Sequence, residues 1–209
     1  MDAQNLLIHD FFDKAVVNDF ARDYLFRVTA LKFDGLNGAD LALNELLYAK
    51  TAKLPARQIV NHPVKYSGQT FNVPGSVEYP GSESYQLEFY CPEYSTVREK
   101  LMNESVRTFS SYDGVAGSGQ AGGSIANRNS YIELITFNKN YDEIYKYRLL
   151  GCSIREVGEV AYNIADGNGA VMSFTATIAY HLFTRDVNQS IVTPRGAPTV
   201  VYPNDTNTY

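Results

Sequence analysis

Residues 171–182 alternate without interruption. Met172, Phe174, Ala176, Ile178, Tyr180 and Leu182 form one apolar set. A period of two over that length dictates a β-strand with one face on a core. The opposite set is Val171, Ser173, Thr175, Thr177, Ala179 and His181. A strand face turned to water usually carries Lys or Glu, and this one is small and uncharged. It is expected to meet another chain or to line a pore, with Ser173, Thr175, Thr177 and Ala179 as the candidate residues. The plainer alternative is a Thr-rich exposed surface, since Thr favours strands.

The rest of the chain is read by the same rules. Residues 24–33, 84–91, 131–137, 144–157 and 171–184 read as strands. In 84–91, Tyr85, Leu87, Phe89 and Cys91 share the apolar face. Residues 59–66 and 69–73 flank Ser67-Gly68 and predict a hairpin. Pro63 confines its strand to an edge or a bulge, because proline offers no ladder donor. Residues 45–54 suit helix or strand, and Pro55 ends that element. Thr96 and Glu99 are spaced as a capping box ahead of a helix whose stripe is Val97, Leu101, Ser105 and Phe109. Asp166-Gly167-Asn168-Gly169 predicts a turn. Residues 110–130 are rich in Gly, Ser and Asn and are expected to form a flexible loop. The fold class is therefore mainly β: two packed antiparallel sheets with one flanking helix.

Three segments follow. Residues 1–23 form an N-terminal arm, with Leu7, Phe11 and Ala15 at helical spacing, and Leu7, Phe11, Phe20 and Arg22 as candidate docking residues between assembled subunits; the loop at 45–75 is the competing candidate for that contact. Residues 24–184 form the β domain. Residues 185–209 form a Pro/Thr/Asn-rich extension.

Chemistry finds little support. Gly117, Gly119 and Gly122 match G-x-G-x-x-G, but no strand precedes them and no helix follows, so loop is the better reading. His9, His62 and His181 are scattered, with no metal-ligand spacing. Cys91 and Cys152 give no disulfide framework and are expected to be buried free thiols. No catalytic, cofactor-binding or metal residue is assigned, and no enzyme is expected. The chain of 209 residues holds 18 Lys and Arg against 23 Asp and Glu, a net charge of −5. That balance argues against binding of nucleic acid by phosphate neutralisation. No run is apolar enough to span a membrane, and the first residues lack a signal-peptide pattern. With 16 Tyr, 11 Phe and no Trp, the aromatic content suits strands and interfaces.

Several short stretches, in order, carry a resemblance. They are Asn18-Asp19-Phe20-Ala21-Arg22 with Leu25-Phe26-Arg27-Val28; Thr51-Ala52-Lys53-Leu54-Pro55; Phe71-Asn72-Val73-Pro74-Gly75; Gly151-Cys152-Ser153-Ile154 with Val157-Gly158-Glu159; and Phe174-Thr175-Ala176-Thr177-Ile178-Ala179-Tyr180. Over roughly residues 5–184 the chain resembles the tail tube protein of contractile-tailed bacteriophages. It departs from that pattern in its Gly/Ser-rich loop at 110–130 and in the extension past 184.

The resemblance implies a structural virion protein. Six copies would close into a ring with a continuous inner β-barrel. Rings would stack into the tail tube, which conducts the genome into the host. Implied partners are further copies of the chain, the sheath protein, baseplate and tube-terminating proteins, and in the lumen a tape measure protein and double-stranded DNA without specific binding. Its place is the phage tail, assembled in the host cytoplasm. Two alternatives stand beside it: a tube subunit or tube-initiating baseplate protein of a related contractile injection system, and, more distantly, a monomeric carbohydrate-binding β-sandwich.

Overall fold

A computed structural model describes residues 8–11, 13, 15, 20–33, 40–109, 126, 129–162 and 169–187. The strands are β1 (Phe26–Lys32), β2 (Ala49–Thr51), β3 (Gln58–Tyr66), β4 (Gln69–Glu78), β5 (Tyr85–Tyr90), β6 (Tyr131–Phe137), β7 (Glu143–Leu150), β8 (Ser153–Val157), β9 (Ser173–Ala179) and β10 (Leu182–Val187). The helices are α1 (Leu43–Leu46) and α2 (Thr96–Thr108). Residues 8–11, 13 and 15 are also helical.

Two antiparallel sheets of four strands make the body. The first has the order β1-β6-β7-β10 and the second β2-β5-β9-β8. Their inner faces supply one core. Val28, Leu31, Ile132, Leu134 and Leu149 come from the first sheet, and Leu87, Phe89, Phe174, Ala176 and Ile178 from the second. Phe89 and Phe174 are direct cross-strand partners with stacked rings 5.6 Å apart. Val97 and Leu101 of α2 enter the same core, and α2 packs along β8. Lys100 of α2 reaches Glu45 of α1 at 2.7 Å, while Glu45 also accepts from the Ala42 backbone N–H.

β3 and β4 form a separate two-stranded sheet. Their turn residues Ser67 and Gly68 have φ of 51° and 78°, the positive pair a tight hairpin turn requires. The sheet is bulged at Val60/Asn61, opposite Gly75. The proline-bearing strand β3 thus lies outside the main sheets, as its missing donor demands.

Several sequence expectations change. The run 144–157 is two strands, broken at Gly151-Cys152, and β7 and β8 belong to different sheets. The run 171–184 likewise breaks at Tyr180-His181, so Leu182 opens β10 rather than extending the apolar face and stands exposed. Strand pairing runs to Val187, three residues into the expected extension. Residues 45–54 hold both a short helix and a short strand. The capping box at Thr96 does not form: Ser95 is the N-cap, in a left-handed conformation at φ 50° and without a side-chain cap bond, which places Thr96 inside the first turn. The helix buries Glu104, paired to Arg107 at 2.7 Å, in place of Ser105, and Phe109 lies beyond its end and exposed. Cys152 is buried and its thiol is pushed up to about 12 by burial. Cys91 is only half-buried, 3.3 Å from the Ser95 hydroxyl. The turn at 166–169 (save Gly169), the G-x-G-x-x-G glycines, most of the loop at 110–130 and the extension past 187 lie outside the described residues.

The two corners are built together. The Gly151 N–H donates to Ser130 O at 2.9 Å, and the His181 N–H to Leu150 O at 2.9 Å. Gly151 has φ +69°, and a Cβ there would sit 2.4 Å from His181 Cδ2. Gly151→Ala is therefore expected to cost about 1–3 kcal/mol through left-handed strain plus the displaced imidazole. Adding His181→Ala should recover the steric part. Urea denaturation of the two variants checks this; a Gly151→Ala protein as stable as wild type would show a corner that relaxes freely.

Candidate assembly surfaces

The candidate residues Ser173, Thr175, Thr177 and Ala179 do share one face of β9, turned away from the core. Thr177 is buried and the other three are half-buried. Of the wider set, Val171 and His181 are exposed and lie outside the strand. β9 itself is paired on both sides, to β5 and β8, so its backbone is not an edge. Any strand-to-strand junction of the second sheet falls to β2 and β8.

The face is also less neutral than the strand alone. Cross-strand partners Gln86, Glu88 and Tyr90 flank it from β5, and Ser153 and Glu156 from β8. Glu88 gathers a polar cluster: Lys50 Nζ lies at 2.7 Å, the Ser173 hydroxyl donates at 2.8 Å and the Thr51 hydroxyl at 3.4 Å. Lys50 also sits 5.6 Å over the Tyr90 ring. The Lys50 and Ser173 donors hold the Glu88 carboxyl below its ordinary value. Uncharged residues on β9 therefore sit beside an ion pair neutralised within the face.

The outer face of the first sheet is built around Glu133. Arg148 lies at 2.8 Å, Lys146 at 3.7 Å, and the Thr29 hydroxyl donates at 2.9 Å. Arg148 stacks 4.8 Å over Tyr131. Burial pushes the Glu133 carboxyl up, but the Arg148 and Thr29 donors and the nearby Lys146 charge outweigh that and lower it.

On one flank of the sandwich, edge strands β1 and β2 bound a groove of about 430 Å³. Tyr24, Leu46, Leu47, Phe137 and Tyr141 line it with Arg27. Tyr24, Leu47 and Tyr141 are each more than 60% exposed. Arg27 Nε is enclosed without a hydrogen-bond partner among the described residues. Of the arm candidates, Phe11 and Phe20 lie 6.0 Å apart and are exposed, Arg22 is exposed, and Leu7 lies outside the described residues.

Most of the hairpin lies within 45–75, the segment that competes with the arm as the candidate contact between assembled subunits. Register places His62, Val64 and Tyr66 opposite Val73, Phe71 and Gln69 on one face, with Pro63, Lys65, Thr70 and Asn72 on the other. Val64, Tyr66, Phe71 and Val73 are all exposed. The alternation around Ser67-Gly68 carries that signal in the sequence.

Both carboxylates have lowered folded-state values, so their stabilisation is present above the unfolded value of 4.5 and is lost as pH falls through the folded value. Glu133→Gln should lower stability at pH 7 and flatten the loss seen between pH 5 and 3. Melting curves across that range check it; an unchanged pH profile would remove Glu133 from the acid response.

Among the described residues no group of His, Cys, Asp and Glu is placed to hold a metal ion. Nor, among these residues, is any helix long and apolar enough to cross a membrane.

No protein-family model matches the chain, and no curated protein matches it. Solved structures do. A chain of the anti-feeding prophage tube-terminating cap aligns with TM-score 0.55 and 10% identity, over 82% of this chain and 93% of that one. A chain of the sheath/tube terminator of PVC, an extracellular contractile injection system, aligns with TM-score 0.53 and 10% identity, over 82% and 99%. A chain of the anti-feeding prophage baseplate aligns with TM-score 0.51 and 11% identity, over 81% and 97%. At these identities the likeness is one of fold, and it spans nearly the whole of each neighbour: the chain shares its fold with chains found in contractile injection systems.

Proposed function

We propose that the chain is a structural subunit that closes into rings and stacks into the inner tube of a contractile injection machine. The carrying observation is the strand order of the second sheet. All its pairings are antiparallel and it has four strands, so edges β2 and β8 run in opposite directions. Rotation about a ring axis brings β8 of one copy against β2 of the next, and the junction is then antiparallel like every other. An odd strand number would force a parallel junction at each seam. Ring closure also removes two open edges that otherwise invite uncontrolled pairing. Six copies are adopted by analogy with the six-fold symmetrised baseplate assembly that contains a chain of this fold.

In that ring the outer face of the second sheet is the channel wall. Ser173, Thr175, Thr177 and Ala179 then line the lumen beside Gln86 and the Lys50–Glu88 pair. Small neutral groups and internally neutralised charge offer no sites for phosphates to displace counterions, so a duplex slides without being held. The phage form of the reading follows: a tail tube inside a sheath, bounded by baseplate and tube-terminating proteins, conducting double-stranded DNA past a tape measure protein. A tube subunit or tube initiator of a related injection system shares the geometry and differs in cargo. The arm at 1–23 is assigned to contacts between subunits, with Phe11 and Phe20 as its apolar pair. The role is structural rather than enzymatic.

Electron microscopy and sedimentation of the purified chain test the ring, with annuli or tubes expected and a strictly monomeric species at every concentration overturning it. The lumen is tested by Gln86→Lys, an exposed position. The variant should fold within about 0.5 kcal/mol of wild type. Tubes built from it should retain duplex DNA at low salt and release it as salt screens the added cations. Equal DNA retention by both tubes at every ionic strength would place this face away from the lumen.

A further inference from the structure

The two edges of the second sheet carry matching irregularities. In β2, Ala49 stands opposite Phe89 and Thr51 opposite Glu88, so Lys50 is an extra residue against β5. In β8, Ile154 stands opposite Ile178 and Glu156 opposite Thr177, so Arg155 is an extra residue against β9. A bulge of this kind breaks the strict alternation of side chains along its strand. The core contacts register that break. Ala49 and Ala52 pack against the core at the β2 edge, and Ile154 and Val157 do so at the β8 edge. On both edges the inward residues are therefore three apart, where an unbroken strand places them two apart.

Resting on the ring reading above, we propose that these two bulges face each other across the seam and fix its register, with Lys50 of one copy paired to Glu156 of the next. Ala49 then lies opposite the next copy's Val157, and Ala52 opposite its Ile154. Between them Lys50 meets Glu156 and Thr51 meets Arg155. The spacing of the inward residues carries the argument. In an antiparallel junction this register lines up both inward pairs and sets each two-residue bulge against the other. Small alanines then stand against the larger Ile154 and Val157, so the core continues through the seam by interdigitation. A slip of two residues one way turns Glu156 against Ala52, and a slip the other way turns Arg155 against Ala49. Either slip presses a charge onto the core side of the junction. A foreign strand with unbroken alternation matches neither edge, so each bulge protects its edge from unplanned pairing until the other edge arrives. Charge agrees with the register. Lys50 and Glu156 are both exposed and of opposite sign, and Glu156 forms no ion pair among the described residues. Lys50 already lies 2.7 Å from Glu88 of its own copy. An ammonium carries three donors, so it serves a second carboxylate without releasing the first.

The test uses the full chain. Thr51→Cys with Arg155→Cys places two thiols directly across the seam, and oxidation of assembled protein should link subunits covalently around the ring, with neither single variant doing so. Thr51→Cys with Ser153→Cys is the control for a register shifted by two, and its rings should link far less. In parallel, Glu156→Lys sets like charges against each other at every seam. The position is exposed, so the variant should melt as wild type does, while its ring yield at equal concentration should fall roughly tenfold or more. Adding Lys50→Gln removes the facing charge and should restore most of that yield. Rings that link through positions 51 and 153 instead, or through neither pair, overturn the register while leaving the ring intact. Wild-type ring yield from Glu156→Lys, or a loss that Lys50→Gln does not relieve, overturns the ion pair. A wild-type chain that never forms rings refutes the ring reading itself, and the seam with it.

Discussion

The sandwich depends on one paired corner. The chain runs up β7 in the first sheet, turns at Gly151 and continues as β8 in the second; it runs along β9 in the second, turns at His181 and continues as β10 in the first. Gly151 and Cys152 N–H groups both donate to Ser130 O, at 2.9 and 3.2 Å, and His181 N–H donates to Leu150 O. The missing Cβ of Gly151 is where the His181 ring lies. Because both crossings occur at one place, the two sheets are locked face to face. The core then forms from whichever residues alternation turns inward, Phe174 and Ile178 against Leu149 and Ile132 among them.

From that lock follow two equal sheets with four edges, and the edges dominate what the molecule can do. Even strand counts make each sheet end in opposite directions, which suits rotational closure. Electrostatics refine the picture rather than drive it. Glu88 and Glu133 each anchor cations on the outer face of their own sheet, so neither face presents a field of one sign. The exposed Lys50–Glu88 pair contributes little to stability, and its use is to quiet a surface. The apolar residues left in the open, on the hairpin and beside β1, are the larger energetic statement, since a contiguous exposed apolar patch marks a place where a partner belongs.

Much of this was legible in the residues. Strands 26–32, 85–90 and 131–137 fell where alternation put them, and the Ser67-Gly68 turn and the edge position of the strand bearing Pro63 followed from local backbone rules. The face of Ser173, Thr175, Thr177 and Ala179 was correctly separated from the core by period alone. The helix stripe was misplaced by one residue, because Glu104 could be buried only with Arg107 beside it, and that pairing is a property of the folded helix.

Sequence by itself determined the class of the fold and the faces of its strands, because these depend on periods of two and on residues close in the chain. Tertiary structure alone decided that 144–157 and 171–184 are each two strands in different sheets, since a corner leaves the alternation of side chains nearly unbroken. It also decided which strands are edges. That depends on who pairs with whom across long stretches of chain, as Phe26 of β1 with Thr136 of β6, and hydrogen bonding between distant strands leaves no trace in the order of residues within either one.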